Sequence, residues 1–407
     1  METYGLLGRK LGHSFSPQIH KELGGYDYVL FEREPEEVAQ FLKSGEFTGI
    51  NVTIPYKQTV MPYCDELSPA AQAIGSVNTI VRRPDGSLYG HNTDYDGFRY
   101  MLRSMGVDPK GKKALVLGNG GAAKTVRAVL RELGAGETVT ISRSGEDNYT
   151  NLERHKDAAL IVNATPVGMY PETEAAAVDL AMFPNCQAVA DLIYNPARTQ
   201  LLLQAESLGM KTVNGLGMLV EQARCASELF TGSVIDESAT AMITAKIAAE
   251  TMNIALIGMA GCGKTTVGTE LARRLGRKFV DMDEEIVKRA GKSIPDIFAG
   301  EGEEAFRSLE TQVLRELAPQ SALVIATGGG VVTRERNLPL LRKNSRIVRL
   351  LRPVEELPSD GRPLSQKYTP SQLAMEREPL YNSWKEIAVN VTEPAETAEC
   401  IIKEVGL

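Results

Sequence analysis

Apolar residues gather along this chain in short runs, and in two places such a run passes through a glycine-rich turn into a pattern of helical period. The first is "KKALVLGNGGAAKTVRAVLREL", Lys112 to Leu133, in which Ala114 to Leu117 read as a buried parallel strand. The second is "NIALIGMAGCGKTTVGTELARRL", Asn253 to Leu275, whose strand "NIALI" leads directly into the turn. Strand, glycine turn and helix in that order build parallel sheets, so the pattern predicts an α/β protein. Elsewhere "GINVTIPYK" reads as a strand ended by Pro55, which cannot donate to a central ladder. "LGMLVEQARCASELFTG" and "DESATAMITAKIAAETM" carry helical periodicity. No apolar run reaches the roughly 18 residues of a membrane span.

Length and charge narrow the class. A chain of 407 residues exceeds what one core usually serves, so more than one domain is expected. With 43% hydrophobic and 24% charged residues and a formal charge of -7, no large basic patch is implied and nucleic acid is not an expected partner. The five cysteines are scattered with no C-x-x-C pair, which argues against a zinc site or disulfide framework and suits a reducing compartment. The N-terminal stretch lacks the apolar segment of a signal peptide, so a cytoplasmic location is expected.

In the first glycine turn, Gly118, Gly120 and Ala123 fit G-x-G-x-x-G/A. Gly118 permits the tight turn, Gly120 lets backbone approach a pyrophosphate, and Asn119, Gly121 and Ala122 complete a cradle at a helix N-terminus. The next strand, "ETVTISRSG", ends in Ser142-Arg143-Ser144, where an NAD site usually has an acidic residue. A guanidinium and two hydroxyls suit a 2′-phosphate, so NADP(H) is expected; Glu146 and Asp147 just beyond would repel that phosphate if they faced it. The second turn, Gly258 to Thr265, matches G-x-x-x-x-G-K-[ST] at every fixed position. Backbone across Gly261, Cys262, Gly263 and Thr266 would wrap nucleotide phosphates, Lys264 would reach the β/γ oxygens, and Thr265 would hold magnesium.

Polar clusters supply the remaining candidates. "GHSFSP" places Ser14 and Ser16 two apart; in an extended segment both hydroxyls point one way and could bind a carboxylate, the alternative being a serine-rich turn before Pro17. "GINVTIPYK" carries Thr53 and Lys57, "GSVNT" carries Asn78, and "GHNTDYDG" carries Asp94. Beside a nicotinamide site, a lysine and a carboxylate among amide-rich loops point to hydride transfer assisted by Lys57 and Asp94; a solvated lysine is the plainer reading. Asp281 and Asp283 lie two apart at a strand end, suited to one magnesium-facing and one substrate-facing carboxylate. Gly328, Gly329 and Gly330 cost backbone entropy unless a substrate ring approaches closely or a tight turn requires them. Arg307, Arg362 and Arg377 could converge on anionic groups.

Over residues 1 to 248, "GHSFSPQIH", "NVTIPYK", "GSVNT", "HNTD", "GNGGAAK", "NATPVGM" and "NGLGMLVEQ" stand in the order and at the spacing of shikimate dehydrogenase, which this segment resembles. The resemblance implies that Ser14 and Ser16 bind the substrate carboxylate, that Lys57 and Asp94 are catalytic, and that Thr53, Asn78, Tyr194 and Gln222 contact substrate. Gly215 and Met218 would meet the nicotinamide, with Asn163, Ala164 and Thr165 beside the cofactor. Residues 252 to 407 are similar to shikimate kinase through "GMAGCGKTT", "DMDEEI", "GEEAFR", "ATGGG", "GRPL" and "REPLY". That resemblance implies that Asp283, Arg307, Arg377 and the three glycines bind shikimate, that Asp281 lies near magnesium, and that Arg362 is a lid arginine for the ATP phosphates.

Three units are therefore expected: a substrate lobe over 1–100 completed by helices in 231–251, a Rossmann NADP domain over 101–230, and a P-loop kinase domain over 252–407. The implied activities are NADPH-dependent reduction of 3-dehydroshikimate and ATP- and magnesium-dependent phosphorylation of the shikimate 3-hydroxyl, with a homodimer as one admissible assembly. Two departures open rival readings. Ser142 replaces the asparagine usual in the dehydrogenase family, and with the acidic pair it leaves NAD, or quinate as substrate, open. Only Pro358-Ser359-Asp360 remain of a kinase arm that usually carries an adenine-packing arginine, for which Arg349 or Arg352 would substitute. An ATP-sensing module with weak kinase activity is the corresponding alternative. Cys262, at a variable loop position, is expected beside the phosphates and sensitive to alkylation.

Overall fold

The computed structural model describes residues 2–12, 14–357 and 369–407. It divides into two compact units: Met1–Gly168, Ala175–Tyr194 and Gln204–Ala245 form the first, and Met169–Glu174, Asn195–Leu203 and Lys246–Leu407 the second.

The first unit opens with β1 (Tyr4–Gly8), α1 (Ser16–Gly24), β2 (Tyr28–Glu32), α2 (Val38–Ser44), β3 (Gly49–Val52), β4 (Glu66–Leu67), α3 (Pro69–Ile74), β5 (Thr79–Arg82), β6 (Leu88–His91) and α4 (Asp94–Ser104). Its strands make a mixed sheet in the order β2-β1-β3-β5-β6-β4, with Leu7, Ile50 and Ile80 buried against Phe41 and Leu42. β3 ends at Val52, so Thr53 and Lys57 lie past the ladder, as Pro55 requires.

There follow β7 (Lys113–Leu117), α5 (Gly121–Glu132), β8 (Glu137–Ile141), β9 (Leu160–Asn163), β10 (Ala188–Asp191), α6 (Gln200–Ser207), β11 (Lys211–Val213), α7 (Leu216–Thr231) and α8 (Ser238–Thr251). These strands form a parallel sheet in the order β11-β10-β9-β7-β8. β9 and β10 are buried at every position, which is why they read as continuous apolar runs. The strand order reverses between β7 and β9, the switch point where such sheets bind nucleotides. α7 then returns to pack on α1, α4 and β3 of the first sheet.

The second unit contains β12 (Asn253–Ile257), α9 (Lys264–Leu275), β13 (Lys278–Asp281), α10 (Met282–Ala290), α11 (Ile294–Leu317), β14 (Leu323–Ala326), α12 (Asn337–Arg342), β15 (Ser345–Leu351), α13 (Pro370–Trp384), β16 (Ile387–Asn390) and α14 (Pro394–Val405). Its sheet is parallel in the order β13-β14-β12-β15-β16. The α/β class read from the sequence is thus the class observed. Among the described residues no helix is long and apolar enough to cross a membrane.

Candidate active sites

A cleft of about 460 Å³ opens past the ends of β1 and β3, and Ser14, Ser16, Thr53, Lys57, Asn78, Asp94, Tyr194 and Gln222 all line it. Lys57 Nζ lies 2.6 Å from Asp94 Oδ2, with the two side chains 30% and 19% exposed. Asp94 is the first residue of α4, where the helix dipole favours a carboxylate. Asn78 Oδ1 accepts from the Thr93 N–H (2.7 Å) and the Thr79 hydroxyl (3.0 Å), which directs Asn78 Nδ2 toward Gln222 Oε1 at 3.5 Å. Asn51 joins this network, with Oδ1 accepting from the Tyr28 hydroxyl (2.7 Å) and Nδ2 donating to Thr79 Oγ1 (3.1 Å). Burial raises the pKa of Tyr194, whose ring lies edge-on to Phe15 at 5.9 Å.

The serine pair is not held by an extended segment. Ser14 sits in a turn and Ser16 opens α1, with Ser14 Oγ accepting the Ser16 N–H at 3.2 Å. The turn geometry won because Pro17 takes a first-turn helical position and the short hydroxyl satisfies a nearby backbone donor. Both serines nonetheless line the cleft.

At the first glycine turn, Gly118 has φ 102°, and a Cβ there would come within 2.9 Å of Thr165 Cγ2 and 3.0 Å of the Ala164 carbonyl. A Cβ on Gly120 or Gly121 would meet nothing within 4 Å, and α5 starts there without a side-chain cap. Open space before uncapped N–H groups fits a pyrophosphate. Asn119 Oδ1 accepts from Arg127 at 3.0 Å. Asn163 is fully buried and accepts from the Thr165 N–H (3.1 Å) and hydroxyl (2.6 Å), so its amide shapes the loop of Ala164 and Thr165. Gly215 lies so close to the Leu192 carbonyl that a Cβ would overlap it, and a Cβ on Gly97 would sit 2.6 Å from the Met218 carbonyl. Beyond β8, Arg143 and Ser144 are exposed and Ser142 is half-buried. Asp147 is turned inward, 2.9 Å from His155 Nε2. His155 escaped the sequence reading because nothing local links it to the strand end eleven or more residues earlier.

In the second unit a cleft of about 310 Å³ is lined by Gly261, Gly263, Lys264, Thr265, Thr266, Asp281, Asp283 and Gly329 among others. Lys264 Nζ donates to the carbonyls of Gly258 and Met259, each at 2.9 Å. Thr265 Oγ1 donates to Asp281 Oδ2 (2.7 Å), while Asp281 Oδ1 caps α10 by accepting the Asp283 N–H (2.9 Å). A hydroxyl beside a carboxylate is a hard-oxygen pair of the kind magnesium takes alongside phosphates and water.

The three glycines have an internal explanation. A Cβ on Gly328 would lie 2.5 Å from Glu310 Oε1 and 3.1 Å from Asp283 Oδ1, and one on Gly329 would lie 3.0 Å from the Ala260 nitrogen. On Gly330 it would overlap the Arg307 guanidinium. The groups that approach this backbone are therefore the chain's own charged side chains and its phosphate loop. Arg307 is bonded to the fully buried Glu310 at 2.9 Å, and burial pushes the Glu310 carboxyl up against the opposing effect of Arg307. Glu310 was missed, although its position three residues after Arg307 on one helix was a readable signal. Arg377 is buried and donates to the Gly329 carbonyl at 3.1 Å.

Two expectations are corrected. Cys262 is 1% exposed and packs with Val267 and Leu271, so its thiol faces the core and alkylation at the loop surface is not expected. Arg349 is buried, bonded to Asn382 at 2.9 Å and paired with Glu378, which removes it as a substitute for an adenine-packing arginine. Arg352 is the candidate left at the surface. Arg362 and Pro358-Ser359-Asp360 lie outside the described residues.

A lobe with a lysine–carboxylate cleft joined to a Rossmann-type sheet defines a pyridine-nucleotide oxidoreductase, and a P-loop sheet with paired aspartates defines a phosphoryl-transfer domain. Residues 6–80 match the family model "Shikimate dehydrogenase substrate binding domain" and residues 260–405 match "Shikimate kinase". A shikimate dehydrogenase (NADP(+)) from Clostridium perfringens is 39% identical over 259 residues, covering 58% of this chain and 95% of the relative. The chain belongs to the shikimate dehydrogenase family and carries a shikimate kinase domain after it. Among solved structures, a chorismate mutase/shikimate 5-dehydrogenase fusion protein from Clostridium acetobutylicum is 38% identical with a TM-score of 0.58, covering 61% of this chain and 97% of that one. Shikimate 5-dehydrogenase from Thermus thermophilus, in complex with NADP(H) and shikimate, is 34% identical with a TM-score of 0.55, covering 60% and 99%.

Proposed function

We propose that this chain performs two consecutive reactions, reduction of 3-dehydroshikimate to shikimate with NADPH and phosphorylation of the shikimate 3-hydroxyl with ATP. The observation that carries the first is the 2.6 Å contact of Lys57 with Asp94 inside a cleft walled by fixed amides. Gly118 to Ala122 would hold NADPH, which would supply the hydride. The ketone oxygen then becomes an alkoxide that needs a proton, which Lys57 gives from Nζ while Asp94 holds the ammonium in place. Ser14 and Ser16 bind the carboxylate end, and Thr53, Asn78, Gln222 and Tyr194 hold the rest of the ring. The kinase is assigned to the segment that begins at β12, and the dehydrogenase to the segment before it.

For the second reaction, Asp283 orients the attacking hydroxyl and accepts its proton, while Arg307 and Arg377 bind the shikimate carboxylate. Thr265 and Asp281 would hold magnesium, which would supply neutralising charge to the transferring phosphoryl group. Lys264 exchanges its loop carbonyls for phosphate oxygens, and Arg362 is assigned to the phosphates from the sequence pattern alone. The test measures 3-dehydroshikimate-dependent NADPH oxidation and shikimate-dependent ADP release separately on the purified chain. A higher kcat/KM for NADPH than NADH, for shikimate than quinate, and ADP release that needs shikimate are expected. ATP binding without shikimate-dependent ADP release would favour the sensing module instead.

A further inference from the structure

The loop after β8 carries two acidic residues beside the strand end that would receive the ribose 2′-phosphate, and the structure treats the two differently. Glu146 is exposed, whereas the Asp147 side chain is 31% exposed and its Oδ1 lies 2.9 Å from Nε2 of His155, itself 7% exposed. His155 ends a short helical turn, Leu152–His155. The loop between is tied down: Asn148 Nδ2 donates to the Gly145 carbonyl (3.1 Å), Asn151 Nδ2 to the Glu146 carbonyl (2.8 Å), and the Ser142 N–H to the Asp147 carbonyl (3.2 Å). That last bond sets the Asp147 backbone against the strand end, so the direction of its carboxylate adds to or withdraws from the charge that Glu146 already places in this loop. One N–H on the imidazole suffices to hold it, whether the ring is neutral or charged.

We propose that His155 is a specificity-determining positioning residue of the dehydrogenase: it withdraws the Asp147 carboxylate into the loop and so lets Ser142-Arg143-Ser144 accept a 2′-phosphate despite an adjacent acid. This rests on the reading that the first unit uses NADP(H). A carboxylate released toward the 2′-phosphate costs about fivefold in relative affinity, the scale of an exposed charge pair.

The experiment is titration calorimetry of the full chain with NADP+ and with NAD+, read as the ratio of the two Kd values. His155→Leu, which keeps bulk and loses the donor, is expected to lower the preference for NADP+ about fivefold, and His155→Leu with Asp147→Asn to restore it. His155→Gln, which keeps an N–H donor, stays within about twofold of wild type. Asp147→Asn alone, a substitution in a surface loop that does not depend on the His155 variants folding, also stays within about twofold, because that charge is already withdrawn. An unchanged ratio in folded His155→Leu, or a fivefold rise in NADP+ preference in Asp147→Asn, overturns the proposal. A wild-type chain that prefers NAD+ overturns the NADP(H) reading itself, and the positioning role with it.

Discussion

In the dehydrogenase cleft the ammonium of Lys57 is spent on Asp94, its proposed partner in the reaction, whereas in the kinase cleft Lys264 gives its protons to the Gly258 and Met259 carbonyls of its own loop. In the proposed reaction the first arrangement needs no exchange of partners before chemistry, and one contact carries it. In the second, bonds among protein groups must be exchanged for bonds to phosphate, and the load is spread over Lys264, Thr265, the paired aspartates and two buried arginines. Preorganisation through one charged pair makes a site brittle to a single truncation; a distributed site fails by degrees.

The widest gap should come from Lys57→Ala. Removing the proton donor is expected to lower kcat for 3-dehydroshikimate reduction by 10²- to 10⁴-fold, roughly the range for general acid catalysis, with NADP+ affinity and shikimate-dependent ADP release unchanged. Retention of wild-type kcat would break the comparison at its strongest point. In the kinase cleft, Asp283→Asn is expected to reduce shikimate-dependent ADP release by about 10²-fold while sparing NADPH oxidation.

Gly330→Ala sharpens the comparison. The residue has φ -103°, which any residue adopts, so the obstacle is steric: the three atoms nearest the new Cβ all belong to the Arg307 guanidinium. Displacing that guanidinium is expected to raise the shikimate KM of the kinase by about tenfold with little effect on the KM for ATP. Equal changes in both would mean that the glycines serve the phosphate loop rather than the arginine.

The smallest effect concerns stability. Burial pushes His20 down from 6.5 to about 3, so the folded first unit keeps it neutral while the unfolded chain protonates it below about pH 6.5. The unfolded state then binds more protons, and stability, complete above pH 6.5, is lost as pH falls toward 3 at up to about 1.4 kcal/mol per pH unit. Denaturant midpoints at pH 7, 6 and 5 are expected to fall more steeply in wild type than in His20→Asn, which lacks the titrating ring. Parallel slopes would place the acid sensitivity elsewhere.

Both glycine turns were legible because their demands are local: apolar runs precede them, helical periodicity follows, and Gly118 and Gly263 occupy positive φ. Lys57 and Asp94 were legible as candidates by type and position, but their contact depends on α4 beginning beside the loop after β3, which no local pattern states. Periodicity assigns a residue to a face of its own element and is silent on what crosses from another. That is why the inward turn of Cys262, the pairing of Arg349 with Glu378 and the bond between Asp147 and His155 lay beyond it. The glycine triplet falls between these cases. The entropy argument required a close approach, and within the chain the approaching groups are Glu310, Asp283, Ala260 and Arg307.

The central claim is that one chain carries both activities, the product of the first serving as substrate of the second. Purified protein is supplied with 3-dehydroshikimate, NADPH and ATP, and NADPH oxidation and ADP release are followed together. ADP release that begins after a lag, depends on NADPH, and approaches one ADP per NADPH oxidised is the expected result. NADPH oxidation that runs to completion with no ADP released would contradict it.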